Sequence, residues 1–175
     1  LEIYDALLSS SITEVPLVHI RDDMLKEELD FLSDNFKSTH FTIHEDHFEI
    51  LKKCDVGIGI ASVEEIDSLN ILNATLLAMK RAVLELDKAA DFLLIDGKMD
   101  VSLPVPRKYI IRGETYSRSI ACASIIAKVF RDKIMLEEDR KYPGYGFARH
   151  KGYGTSMHIA AIREHGFSPI HRRTF

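Results

Sequence analysis

Asp96 and Glu114 stand where apolar runs give out, one after residues 92–95 and the other just past residues 108–111. In α/β sheets, sites are built at the carboxyl ends of strands, so two strand-end carboxylates are the first candidates for chemistry. Their oxygens suit Mg²⁺, which keeps much of its water and needs only a few carboxylates plus substrate phosphates. A centre of that kind serves phosphoryl chemistry. Spacing alone leaves the alternative that each acid only caps a following turn. Ser124 and Lys128 lie four apart, on one face of a helix if the segment is helical, where a hydroxyl and an ammonium could grip one phosphodiester backbone. Small-residue packing and a solvated charge are their ordinary alternatives. Tyr153 offers a ring that can stack on a sugar or base without sequence preference, or fill a core.

These residues need elements to hold them. Residues 15–20 read as a strand, 22–36 as an acidic amphipathic helix, 40–44 as a short alternating strand and 45–54 as a helix. Such alternation points to an α/β domain with a mixed sheet flanked by helices. The run Val56-Gly57-Ile58-Gly59-Ile60-Ala61 reads as a strand whose glycines permit close backbone approach. Ser62 with Glu65 makes a capping box, and a helix is expected over 69–86 with apolar positions 69, 72, 76, 79, 83 and 86. Residues 92–95 form a continuous apolar run, expected as a strand buried on both faces. A strand over 108–111 precedes a long helix from 117 to 140 that is rich in small residues. After Tyr142-Pro143-Gly144-Tyr145-Gly146 breaks it, a short helix spans 156–165.

The 175 residues fit one domain with at most a short appendage, and 46 % apolar content is enough for a real core. No apolar run approaches the roughly 18 residues needed to cross a bilayer, and no signal-peptide pattern opens the chain. Cys54 and Cys122, the two cysteines, read as reduced, buried thiols of a cytoplasmic protein. The net charge of −4 is uneven: residues 1–50 carry twelve acids and three bases (−9), leaving +5 for the remainder. From Lys141 onward Lys141, Arg149, Lys151, Arg163, Arg172 and Arg173 face only Glu164, joined by His150, His158, His165 and His171. A basic end on an acidic protein points to a polyanion, and Lys128, Lys151, Arg172 and Arg173 are expected to neutralise phosphates. His40, His44 and His47 invite a zinc reading but lack a cysteine partner and read as a surface cluster.

An ordered set of motifs then carries a resemblance. It runs from Gly57-Ile58-Gly59-Ile60-Ala61-Ser62 to Glu65-Ile66-Asp67-Ser68-Leu69-Asn70-Ile71-Leu72 and Leu94-Ile95-Asp96-Gly97. Ser119-Ile120-Ala121-Cys122-Ala123-Ser124-Ile125-Ile126-Ala127-Lys128-Val129 follows, then His150-Lys151-Gly152-Tyr153-Gly154-Thr155 and His171-Arg172-Arg173-Thr174-Phe175. Over roughly residues 50–175 the chain resembles the ribonuclease HII family, while residues 1–49 form an unassigned βαβα-like segment. The resemblance implies a ribonuclease H-like fold and an endonuclease that cuts the RNA strand of RNA–DNA hybrids, or of duplexes containing ribonucleotides. It implies Mg²⁺ or Mn²⁺ as cofactor, no membrane, and a monomer. It implies Asp96 and Glu114 as catalytic metal ligands, with Tyr153, Ser124 and Lys128 on the substrate, and Asp132 as a structural partner for a base.

The family's opening Asp-Glu pair with Gly-Arg-Gly, which supplies two further ligands and contacts to the 2′-OH, is not found here. Glu114 stands where the family has aspartate, one methylene shorter with the same ligating group. Asp22-Asp23 and Glu45-Asp46 follow expected strands but read as helix-cap carboxylates. The chain is therefore expected to bind hybrid but cleave it poorly or not at all. The alternative is a catalytically incompetent nucleic-acid-binding fragment or fusion of the same family.

Overall fold

The structure, a computed structural model, describes residues 13–19 and 40–174. The acidic helix expected over 22–36, with Asp22 and Asp23, lies outside them. Strand β1 (Thr13–His19) pairs with β2 (Asp55–Ala61). Strands β3 (Leu93–Asp96) and β4 (Arg107–Ile110) form a second, parallel pair, in which Asp96 stands opposite Ile110.

Between β1 and β2 lies helix α1 (His40–Lys53). The strand expected over 40–44 is instead the first part of this helix, and Glu45 and Asp46 lie within it. Five alternating residues are too few to separate the two periods. The longer pattern 43, 47, 50, 54 is helical, and His47, Ile50 and Cys54 along it are buried. His47 is only 4 % exposed, so it belongs to the interior and not to a surface cluster.

Ser62 caps helix α2 (Val63–Leu69) with the expected reciprocal bonds: its hydroxyl accepts from the Glu65 amide and the Glu65 carboxylate accepts from the Ser62 amide. The helix expected from residue 69 begins later, as α3 (Ile71–Leu84), because Asn70 takes a left-handed φ of 69° and separates it from α2. Leu69 and Leu72 are consequently exposed, and the inward side of α3 carries Ala74, Ala78, Ala82 and Val83.

The described chain divides into two compact units, each with its own core. One is formed mainly by Ala61–Thr75 and Phe130–Phe175, the other by Leu76–Val129 with the described part of Glu14–Ile60. In the second unit, a Cβ on Gly57 would stand 2.0 Å from the Ala82 carbonyl oxygen, and one on Gly59 1.8 Å from that of Ala78. Strand β2 and helix α3 thus touch backbone to backbone, and any side chain at either glycine would force them apart. A different side of α3, with Leu76, Met79 and Val83, packs on Leu93, Ile95 and Val101. Strand β3 alternates where burial on both faces was expected: Leu93 and Ile95 are buried, while Phe92 is 49 % exposed and precedes the strand.

After β4 come the single turn α4 (Gly113–Tyr116) and the long helix α5 (Arg118–Lys141). Cys122, Ile125, Ile126 and Val129 on α5 pack with Ile50 and Cys54 of α1, so both thiols are buried in one cluster, with no disulfide between them. The first unit centres on Met135, Tyr145, Phe147, Ala161 and Ile162, from the end of α5, the turn α6 (Phe147–His150) and helix α7 (Ser156–His165). Among the described residues, no helix is long and apolar enough to cross a membrane.

Candidate functional site

The parallel register of β3 and β4 places Asp96 at the carboxyl end of one strand, level with the last residue of the other. Beyond Ile110, Arg112 adopts left-handed backbone (φ 55°) and the chain turns at once into α4, whose second residue is Glu114. The Gly113 amide donates to the Asp96 carboxylate at 2.8 Å. Asp96 therefore does not cap the turn after its own strand. It fastens the turn that carries Glu114. Both carboxylates are exposed, and a Cβ on Gly113 would press on Ile120, so the turn sits tight against α5.

Exposed carboxylate oxygens on a fastened turn are the donors a hydrated Mg²⁺ or Mn²⁺ takes. Among the described residues, no group of three or more His, Cys, Asp or Glu side chains is placed to hold a metal. The described donor set amounts to two acids, and a fully held ion would draw its other oxygens from elsewhere.

Helix α5 is two-faced over 121–129. Cys122, Ile125, Ile126 and Val129 are buried, and Ser124 and Lys128 are exposed one turn apart on the opposite side.

In the other unit, Tyr153 is 64 % exposed, which removes the core-tyrosine alternative. Its backbone is held firmly: the Tyr153 amide donates to the His150 carbonyl, and the Tyr153 carbonyl accepts from the Thr155 amide. That carbonyl also faces the His158 Nδ1 at 3.1 Å. The Arg131 guanidinium lies 5.8 Å from the ring centroid and donates to the Lys151 carbonyl. Lys151 (φ 50°) and Gly152 (φ 82°) make the left-handed bend that leads into Tyr153.

Behind this loop, His150, His158 and His171 are buried at 5 %, 1 % and 6 % exposure. Burial pushes the His158 and His171 imidazoles down from 6.5 to about 4, and lowers His150 as well. Charge alone had marked these histidines as part of a polyanion-facing end. Burial makes them neutral interior groups instead. A sequence signal was present for His158, which shares an apolar face of α7 with Ala161 and Ile162 at i+3 and i+4.

Arg172 departs from its expected role on phosphate. It is 5 % exposed and lies close enough to Asp67 for their charges to interact. Asp67, missed in the sequence as a site of any kind, accepts from the amides of Arg173 and Thr174 and from the Thr174 hydroxyl at 2.7–3.0 Å. Partial burial pushes its carboxyl up, but these bonds and the Arg172 charge outweigh that and leave it below the usual range. Arg173 remains exposed, its guanidinium over the Phe167 ring.

A family model for ribonuclease HII matches residues 30–175, beginning upstream of the first motif recognised in the sequence. Over 121 residues the chain is 54 % identical to the ribonuclease HII of Syntrophotalea carbinolica, covering 69 % of this chain and 58 % of that protein. Over 152 residues it is 52 % identical to that of Desulfitobacterium hafniense, covering 86 % of this chain and 58 % of that one. The chain spans little more than half the length of these curated relatives. Among solved structures, it is similar to the ribonuclease HII of Archaeoglobus fulgidus in its complex with PCNA, with a TM-score of 0.75 at 19 % identity, covering 96 % of this chain and 89 % of that one. The ribonuclease H2 of Pyrococcus horikoshii gives 0.69 at 17 %, covering 94 % and 88 %. At such identities the likeness speaks for the fold alone, an α/β arrangement of ribonuclease H type. The family match spans most of the sequence, and this chain belongs to the ribonuclease HII family.

Proposed function

We propose that these residues serve a metal-dependent endonuclease that hydrolyses the RNA strand of RNA–DNA hybrids, or of duplexes containing ribonucleotides, in the cytoplasm. The observation that carries this reading is the bond from the Gly113 amide to Asp96, which fastens the Glu114 turn to the end of β3. Asp96 and Glu114 hold the cation side of the site. Bound Mg²⁺ or Mn²⁺ supplies an activated water and neutralises charge on the leaving 3′ oxygen. Ser124 and Lys128, exposed one turn apart, contact the phosphodiester backbone, which positions a strand without reading its sequence. Tyr153 offers its ring to a sugar, and sensing the 2′-OH is what separates RNA from DNA. The family of the chain and the donor chemistry of the two acids support each of these roles.

The test is cleavage of an RNA–DNA hybrid and an all-DNA duplex with Mg²⁺ or Mn²⁺, alongside Asp96→Asn and Glu114→Gln. Either substitution is expected to lower hybrid cleavage at least ~100-fold, or ~2.7 kcal/mol of barrier, while hybrid binding persists. Cleavage unchanged in Asp96→Asn would overturn the assignment of that residue. Binding with no cleavage in the unsubstituted chain would favour a binding role without catalysis.

A further inference from the structure

Hydrogen placement in the buried histidine group follows from its partners, since each ring nitrogen facing a carbonyl must donate and each facing an amide must accept. His150 faces the Tyr145 carbonyl with Nε2 at 2.9 Å and accepts the Gly152 amide on Nδ1 at 3.1 Å. It is neutral, with its proton on Nε2. His158 faces the Tyr153 carbonyl with Nδ1, so its proton is there and its Nε2 can only accept. The donor to that Nε2 is His171 Nε2, at 2.9 Å. His171 Nδ1 in turn accepts the Ser168 amide at 2.9 Å and the Ser168 hydroxyl at 2.7 Å. One direction of donation satisfies every member: Ser168 to His171, His171 to His158, His158 to the Tyr153 carbonyl. Reversing His158 would set two N–H groups against each other and leave the Tyr153 carbonyl facing a lone pair.

The chain of bonds ends on the backbone of the exposed tyrosine. His150, stacked on His158 with ring centroids 4.1 Å apart, holds the same loop through the Gly152 amide. The nitrogens of this group are spent on backbone and on one another, which leaves them no lone pairs for a metal.

We propose that His158, backed by His171 and Ser168, is a positioning residue for Tyr153, its Nδ1–H fixing the backbone from which the ring reaches substrate. The positioning follows from the geometry alone. Its consequence for hybrid binding rests on the function proposed above. Two separate stretches of chain, 150–158 and 168–171, are thereby made to agree on where one ring stands.

Two substitutions separate the halves of the relay. In His158→Asn the side-chain amide falls near the former Nδ1 and keeps a donor for the Tyr153 carbonyl. In His158→Gln it falls near the former Nε2, keeping the bond to His171 and abandoning Tyr153. Three readings are taken: ¹⁵N NMR of the histidine tautomers in the unsubstituted chain, the ring resonances of Tyr153, and affinity for RNA–DNA hybrid. The expected tautomers are Nδ1–H for His158 and Nε2–H for His150 and His171. His158→Gln should shift the Tyr153 ring signals and weaken hybrid binding about tenfold, the scale of losing one stacking ring. Tyr153→Ala should weaken it similarly, and the double variant no further. His158→Asn should restore both readings. Unmoved Tyr153 signals in His158→Gln, or Nε2–H on His158, would overturn the proposal. If His158→Gln does not fold, the tautomers and the rescue by His158→Asn decide it. An unsubstituted chain that shows the tautomers but no hybrid affinity would refute the functional reading and leave the positioning in place.

Discussion

The acidic turn and the histidine group are built in opposite ways. Asp96 and Glu114 are exposed, and Asp96 carries one bond that orients it. His150, His158 and His171 are buried and bonded on both ring nitrogens. Polar groups removed from water must be satisfied within the protein, so the histidines define one arrangement and resist change. Carboxylates left in water retain lone pairs for something that arrives later. The contrast separates residues that hold the fold from residues that await a ligand, in a chain where both kinds are polar and titratable.

The largest effect that would sharpen this contrast is on stability. His158→Ala removes a buried ring, takes from the Tyr153 carbonyl one of its two donors and strands the His171 N–H, at an expected cost of about 3–5 kcal/mol. Asp96→Asn, which keeps an oxygen for the Gly113 amide, should stay within about 0.5 kcal/mol. Urea unfolding midpoints of the two variants measure both, and equal losses would erase the distinction. The order should reverse for divalent-cation binding: Mn²⁺ titration is expected to weaken at least ~10-fold, about 1.4 kcal/mol, in Asp96→Asn, with His158→Asn unaffected.

Acid should act on the histidine group. His158 and His171 are held near 4 in the folded chain, against 6.5 ordinarily. As pH falls below 6.5 the unfolded chain takes up protons that the folded chain refuses. Stability is therefore full above about 6.5 and drains toward 4, by up to about 1.36 kcal/mol per pH unit for each histidine. Urea midpoints measured from pH 7.5 to 4 should show this slope, reduced in His158→Gln. The smallest effect concerns the exposed face of α5. Lys128→Ala should lower the log–log salt dependence of hybrid binding by about 0.9, the value for one phosphate contact on a B-form duplex. Arg172→Gln should leave that slope unaltered, because the residue is buried beside Asp67.

What could be read in the sequence was whatever local patterns decide. The capping box at Ser62 and Glu65 needs only its own four residues, and it forms as expected. The strand-end position of Asp96 follows from an apolar run that stops. Residues 40–44 were misread because a five-residue alternation fits either period, and the deciding residues, His47, Ile50 and Cys54, lie beyond it. The stripe assigned to 69–86 failed at its start for a different reason. Asn70 adopts a conformation open to few side chains, and no periodicity marks it. The histidine relay was illegible because it joins two segments through single atoms, and tautomers leave no trace in spacing. Arg172 and Arg173 are adjacent and identical in type, and only tertiary structure tells the buried one from the exposed one.

The glycines of β2 carry a consequence for how the chain finds its strand register. A strand shifted by one residue presents its other face, which here would set Val56 and Ile58 against the carbonyls of α3 in place of Gly57 and Gly59. There is room for a hydrogen at those points and not for a methyl group. Helix α3 therefore works as a gauge that admits one alignment of β2 and blocks its nearest neighbours, so a mispaired strand is denied its helix and the burial that would trap it.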